Sequence, residues 1–110
     1  MQPADRLRRI VELDDLIAEK TRLAIMLYLS LNRRTSFKRL EKGLGLTSGN
    51  LASHLKKLED KGYVTVRRSL LDARGRVVDA TPIGLAALED FIGIVANAAQ
   101  QSESVSATDS

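Results

Sequence analysis

The sequence predicts one mainly α-helical domain with a small β-hairpin, its elements in the order α-β-α-α-β-β-α. Three observations carry that expectation. Two short amphipathic segments, 37–42 and 47–61, flank a glycine-bearing turn; Leu51, Leu55 and Leu58 fall at i, i+4 and i+7 of the second. After Gly62 the period switches, and Tyr63-Val64-Thr65-Val66-Arg67 alternates and is rich in β-branched residues, as a strand requires. Thr81-Pro82 then restarts a helix, with Thr at the N-cap and Pro at the first helical position, where its missing amide costs nothing.

Size and composition bound the answer. With 110 residues, 44% hydrophobic and 28% charged, the chain suits one soluble domain with a modest core. Cysteine is absent, which excludes disulfides, thiolate metal sites and cysteine nucleophiles together. The N-terminus lacks the apolar segment of a signal peptide, and no run reaches the roughly 18 apolar residues of a membrane span. A cytoplasmic protein without membrane contact is expected. The net charge is only +3, but it is unevenly spread. Residues 1–76 hold all 17 Lys and Arg against 9 acids, whereas 77–110 hold five acids and no base. Such asymmetry fits a polyanion-binding part joined to one that stays clear of the polyanion.

In chain order, residues 1–17 read as an N-terminal arm or short helix, whose Arg6, Arg8 and Arg9 either form a solvated face or reach phosphate. Glu19 to Leu31 is a firmer helix whose apolar stripe is Leu23, Met26, Leu27 and Ser30 or Leu31. Asn32-Arg33-Arg34 breaks it, and Thr35-Ser36 forms a very short strand. Ser36 caps a helix from Phe37 to Lys42 that turns Phe37, Leu40 and Leu44 to one side; Gly43 and Gly45 punctuate its end. Thr47 caps the next helix, and Gly62 ends it. Helix, tight turn, helix is the helix-turn-helix arrangement. Strand 63–67 and its partner 77–80 enclose a loop, 69–76, with Arg74-Gly75-Arg76 at the turn. Arg67, Arg68, Arg74 and Arg76 project from this hairpin against a single acid, Asp72. A basic hairpin after a helix-turn-helix is a wing, so the fold class is a winged helix-turn-helix.

The helix over 82–99 is apolar on two sides. Leu85, Leu88, Ile92 and Val95 are expected to close the core; Ala87, Phe91, Ile94 and Ala98 then form an exposed patch that a second copy would cover. The organisation expected is therefore an arm over 1–17, a DNA-binding core over 18–81, a dimerisation helix over 82–99 and a disordered polar tail over 100–110.

On helix 47–61, Gly49, Asn50, Ser53, Lys56 and Lys57 lie opposite the leucines. That face is slim, polar and positive, as approach to a DNA groove demands. Asn50, Ser53 and Lys57 are expected at base edges, with Thr47 and Ser48 at phosphate near the helix N-terminus. Lys38, Lys56, Arg68 and Arg76 complete the basic surface. His54 stands roughly 75° from the leucine stripe, where it either packs locally or reaches a phosphate or base. It has no triad or metal cluster beside it, so neither catalysis, a cofactor nor a metal is expected.

The run from Arg22 to Gly84 resembles small winged-helix transcriptional regulators of the MarR and ArsR type, closest to the compact winged-helix DNA-binding group. The matching residues are RLAIMLYL (22–29), Phe37 with Leu40, LTSGNLASHLKKLEDKGYV (46–64) and DARGRVVDATPIG (72–84). They cover more than half the chain. The resemblance implies double-stranded DNA as partner, a homodimer, a recognition helix in the major groove, and a wing arginine, Arg74, braced by Asp72 at the minor groove. Two departures stand out: the chain is shorter than full-length MarR proteins, and Ala80 replaces the leucine usual before the wing threonine. The expected function is a transcriptional regulator reading a pseudo-palindromic operator. The alternatives are a winged-helix protein-interaction module and a non-specific architectural DNA binder. A small-molecule effector is compatible with the sequence, but nothing in it indicates one.

Overall fold

The structure, a computed structural model, describes residues 3–71 and 75–109. Its elements are α1 (Pro3–Val11), α2 (Asp15–Ala18), α3 (Lys20–Leu31), β1 (Arg34–Ser36), α4 (Phe37–Leu44), α5 (Ser48–Asp60), β2 (Val64–Arg68), β3 (Arg76–Ala80) and α6 (Pro82–Asp109). The strands form an antiparallel sheet in the order β1-β3-β2. Thr35 faces Val78 across one ladder, and Val66 faces Val78 across the other. The expected mainly helical fold with its small sheet is therefore present, and Ala80 does not interrupt β3, where it pairs with Val64.

Caps fall where short polar side chains precede apolar runs. Ser36 Oγ accepts the Arg39 amide at 3.1 Å, and Thr47 Oγ1 accepts the Asn50 amide at 3.1 Å. Thr81 Oγ1 accepts the Gly84 amide at 3.0 Å. Gly45 closes α4 with φ 64°, and Gly62 follows α5 with φ 81°, both in the left-handed region that glycine enters freely.

Five expectations are corrected. The stretch 1–17 is two helices rather than one arm, because Asp14 caps α2 by accepting the amides of Leu16 at 2.9 Å and Ile17 at 3.4 Å. Ile17 is fully buried. In α3 the buried residues are Ile25, Met26 and Leu29, while Leu27 and Leu31 face outward. Eight of its twelve residues are apolar, so several stripes fit the period equally well, and only the packing partners choose among them. Helix α6 runs on to Asp109 where a tail was expected from 100; no glycine or proline after Gly93 interrupts it. Its core side is also shifted: Leu88 is buried as expected, but Ala87 and Phe91 of the expected outer patch pack beside it against the core, whereas Ile92 and Val95 are 45% and 41% exposed. A helical wheel fixes the angle between two faces but not which one meets α1, α2 and α3. By length and composition Pro82–Gln100 is apolar enough to cross a membrane, contrary to expectation, since Glu89 and Asp90 are its only charges.

The core gathers Ile25, Met26 and Leu29 of α3, Leu40 of α4, Leu51, Leu55 and Leu58 of α5, Val64 and Val78 of the sheet, and Leu88 of α6. Tyr63 locks three elements to one corner of it. Its hydroxyl donates to Asp14 Oδ2 at 2.5 Å, and its carbonyl accepts the Thr81 amide at 3.0 Å. Thr81 Oγ1 donates to the Gly62 carbonyl at 2.6 Å. Gly84 lies so close beneath that a Cβ there would sit 2.1 Å from the Tyr63 carbonyl oxygen.

Burial, then the hydrogen bond to Asp14 and its charge, push the Tyr63 phenol up to about 12. The folded state thus favours the protonated phenol. Its contribution is complete below the ordinary tyrosine pKa of about 10 and is lost as pH rises through about 12. Tyr63→Phe is expected to cost about 1.5–3 kcal/mol in urea unfolding near pH 8, the usual worth of a hydrogen bond to a charged group. The gap between wild type and variant should narrow above pH 10. A gap that stays constant to pH 12 would show that the phenol does not titrate across unfolding.

Candidate nucleic-acid interface

Helix α5 presents the surface its sequence promised. Leu51, Leu55 and Leu58 bury its inner side, and Gly49, Asn50, Ser53, Lys56 and Lys57 are exposed on the other. With the Asn50 amide taken by Thr47, the amides of Ser48 and Gly49 remain unbonded at the positive end of the helix. Among the described residues, the side chains of Lys38, Asn50, Ser53, Lys57 and Arg68 have no hydrogen-bond or ionic partner. These groups are available to a ligand.

Other predicted residues are already engaged. Ser48 Oγ donates to Glu41 Oε2 at 2.7 Å, tying α5 to α4, so its hydroxyl hydrogen is not free for phosphate as expected. Lys56 Nζ donates to Asp60 at 2.8 Å, which draws its ammonium along the helix; that bond and the carboxylate charge raise the lysine above its ordinary range. His54 follows the packing alternative. Its side chain is 15% exposed, and its Nδ1 lies 3.1 Å from Arg22 Nη1 and 3.7 Å from Glu19. A guanidinium can only donate, so Nδ1 accepts and the ring proton sits on Nε2. The same arginine donates from Nε to the Leu16 carbonyl at 2.6 Å. His54 thereby braces the recognition helix against α2 and α3.

The wing sorts its arginines by strand parity. Val64, Val66 and Arg68 share one face of β2, opposite Ala80, Val78 and Arg76 of β3. That face enters the core, so Arg68 and Arg76 emerge from its edge on the side of the helix-turn-helix. Arg67 and Asp79 lie on the outer face, where Asp79 holds Arg67 at 2.9 Å and Arg34 at 3.3 Å. The hairpin therefore does not face a single acid; Asp79 occupies Arg67 on the side away from α5. Arg76 stacks its guanidinium over the Phe37 ring, 3.9 Å from the centroid. Phe37, Lys38, Glu41, Ser48, Gly75 and Arg76 line one cleft of about 340 Å³ between α4, the start of α5 and the wing. Asp72 and Arg74 lie outside the described residues.

Two features escaped the sequence reading. Strand parity could have separated Arg67 from Arg68 and Arg76, had the register of the hairpin been known. The stack of Arg76 on Phe37 joins positions 39 residues apart, and no local signal announces it.

The comparisons with known proteins agree with this geometry. A family model described as a winged helix DNA-binding domain matches residues 21–99. The chain belongs to that family. It is 39% identical over 57 residues to an uncharacterized protein of Methanocaldococcus jannaschii, and spans 62% of that relative's length. Among solved structures, a transcriptional regulator homologue from Pyrococcus horikoshii OT3 superposes with a TM-score of 0.82 at 29% identity, covering 88% of this chain and 96% of that one. The S. aureus MepR–DNA complex gives a TM-score of 0.65 at 22% identity over 97% of this chain and 83% of that one, a likeness of fold.

Gly49 gives this winged-helix domain a clean test. A glycine inside a helix costs roughly 0.5–1 kcal/mol relative to alanine, and a Cβ at Gly49 would meet nothing within 4 Å. No contact within the chain requires it. Gly49→Ala should raise stability by about that amount in chemical denaturation while weakening duplex binding severalfold in a mobility-shift titration. A variant both more stable and equally tight would show that no DNA backbone approaches this position.

Proposed function

We propose that this winged-helix protein is a transcriptional regulator that binds double-stranded DNA as a homodimer. The observation that carries the reading is the facing pair Arg68 and Arg76. Like charges directly across an antiparallel ladder repel, and here they sit on the side shared with the open N-terminus of α5. A polyanion relieves that repulsion. Helix α5 would enter the major groove with Asn50, Ser53 and Lys57 toward base edges, the Ser48 and Gly49 amides and Lys38 toward phosphate, and the wing along the backbone or minor groove. The P. horikoshii homologue is described as a transcriptional regulator, and MepR was solved with DNA, which supports the assignment. A regulator of this kind works in the cytoplasm, in contact with DNA.

Asn50 separates a regulator from an architectural binder. Asn50→Ala should lose about 1–3 kcal/mol of discrimination between a selected site and random duplex, measured by competition. Equal losses on both would make Asn50 a backbone contact and favour the non-specific reading.

The dimer is argued from α6. Ile92 and Val95 are apolar, exposed and one turn apart on α6. Two copies joined there would place their recognition helices about one DNA turn apart, near 10 bp between half-site centres. This surface replaces the Ala87 and Phe91 side, which the chain's own core covers. Ile92→Asp with Val95→Asp should give folded monomers in sedimentation that bind a two-half-site duplex at least tenfold more weakly. A double variant that remains dimeric would place the interface elsewhere.

A further inference from the structure

The wing carries a second anomaly, and it is apolar. Leu70 and Leu71 stand at 102% and 99% of their reference exposure, against at most 84% for any other large apolar side chain among the described residues. They follow β2 directly. The Ser69 amide donates to the Gly75 carbonyl at 2.9 Å, closing the hairpin, and the Leu71 amide donates to Ser69 Oγ at 3.2 Å, fixing the bend. Both leucines therefore sit beyond the last strand pair, outward of Arg68 and Arg76. Going out along the hairpin, the layers are core valines, then two facing arginines, then two bare leucines.

Exposed adjacent leucines forgo the transfer energy that burying two large side chains would give, and nothing among the described residues covers them. Their occupant must accept apolar carbon beside two facing cations, Arg68 and Arg76. The minor groove offers that combination, with sugar walls and base-step edges inside and phosphates at the rim, and apolar wedges between base steps are an established way of bending a duplex. The cations also exclude an ordinary apolar protein groove, which has no counter-charge for Arg68 and Arg76. The hairpin's orientation favours DNA over an anionic lipid surface, because the stack of Arg76 on Phe37 and the cleft shared with Ser48 hold the wing to the same side as the recognition helix.

We propose that Leu70 and Leu71 form an apolar wedge that the wing lays into the minor groove, partly unstacking a flexible base step and bending the DNA. This rests on the DNA-binding reading above. It adds to that reading a contribution that salt cannot screen and a preference for easily deformed pyrimidine–purine steps at positions read by no hydrogen bond.

The test uses the full chain and a duplex recovered by selection from a random-sequence pool on the wild-type protein. The duplex carries 2-aminopurine at a TA step in the flank under the wing, with donor and acceptor dyes at its ends. Wild type should raise the 2-aminopurine emission and shorten the end-to-end distance. Leu70→Ser with Leu71→Ser should abolish both signals and raise Kd roughly tenfold or more, with the salt slope unchanged because no phosphate contact is lost. Arg68→Ala should instead make the slope shallower by about one. Both leucines are fully exposed, so the substitutions leave the fold intact. A double variant with wild-type affinity and the same bend overturns the wedge and leaves DNA binding standing. So does a double variant unchanged on DNA that loses wild-type binding to phosphatidylserine vesicles, which would assign the leucines to a membrane surface. A wild-type protein that selects no duplex and binds none at low salt overturns the DNA-binding reading and the wedge together.

Discussion

The turn Gly62–Tyr63 is the constraint on which the rest of the arrangement depends. It ends the recognition helix, begins the wing, receives the start of α6 and, through the Tyr63 hydroxyl, holds the cap of α2. The approach is so close that only glycine fits at position 84, where any Cβ would strike the Tyr63 carbonyl. Position 84 thus welds the long C-terminal helix to the C-terminal end of α5. Rotation of α6 would carry the recognition helix with it, because no side-chain cushion lies between them to absorb the motion. In a dimer built through α6, the spacing of the two recognition helices would be set at this contact.

A second bracing system holds the opposite flank of α5. Arg22 reaches from α3 to the Leu16 carbonyl and to His54, with Glu19 beside them. Between this cluster and the Gly62 turn, the recognition helix is fixed along its length, while its outer face is left almost without internal partners. Rigid backing and a free front suit recognition, since ordering costs are met on folding rather than on binding. The wing divides its charge in the same spirit: Arg67 is neutralised by Asp79 on the outer face, and Arg68 and Arg76 are kept for the side that looks toward α5.

Much of this was legible because it is local. Thr47, Ser36 and Thr81 precede apolar runs and cap them, as short hydroxyl side chains do. The leucine stripe of α5 has one apolar residue per turn and admits one buried face. The change of period at Gly62 marks the strand. Where a segment was apolar on several sides, the sequence lost its grip. Helix α3 offered several equivalent stripes, and α6 offered two apolar sides from which Leu88 was placed inside correctly but Ile92 and Val95 were not. The bond from Tyr63 to Asp14 spans 49 residues, and no local signal announces it.

The sequence by itself determined the element order, the caps, the inner face of α5 and the concentration of positive charge before residue 77. Each of those follows from spacing along one element or from composition, which the chain carries without reference to anything distant. Only the tertiary structure decided that His54 packs against Arg22 and Glu19, that Ser48 is tied to Glu41, that Arg76 lies on Phe37, and which side of α6 remains exposed. These depend on which surfaces meet across long sequence separations, and periodicity is silent about a neighbour's position.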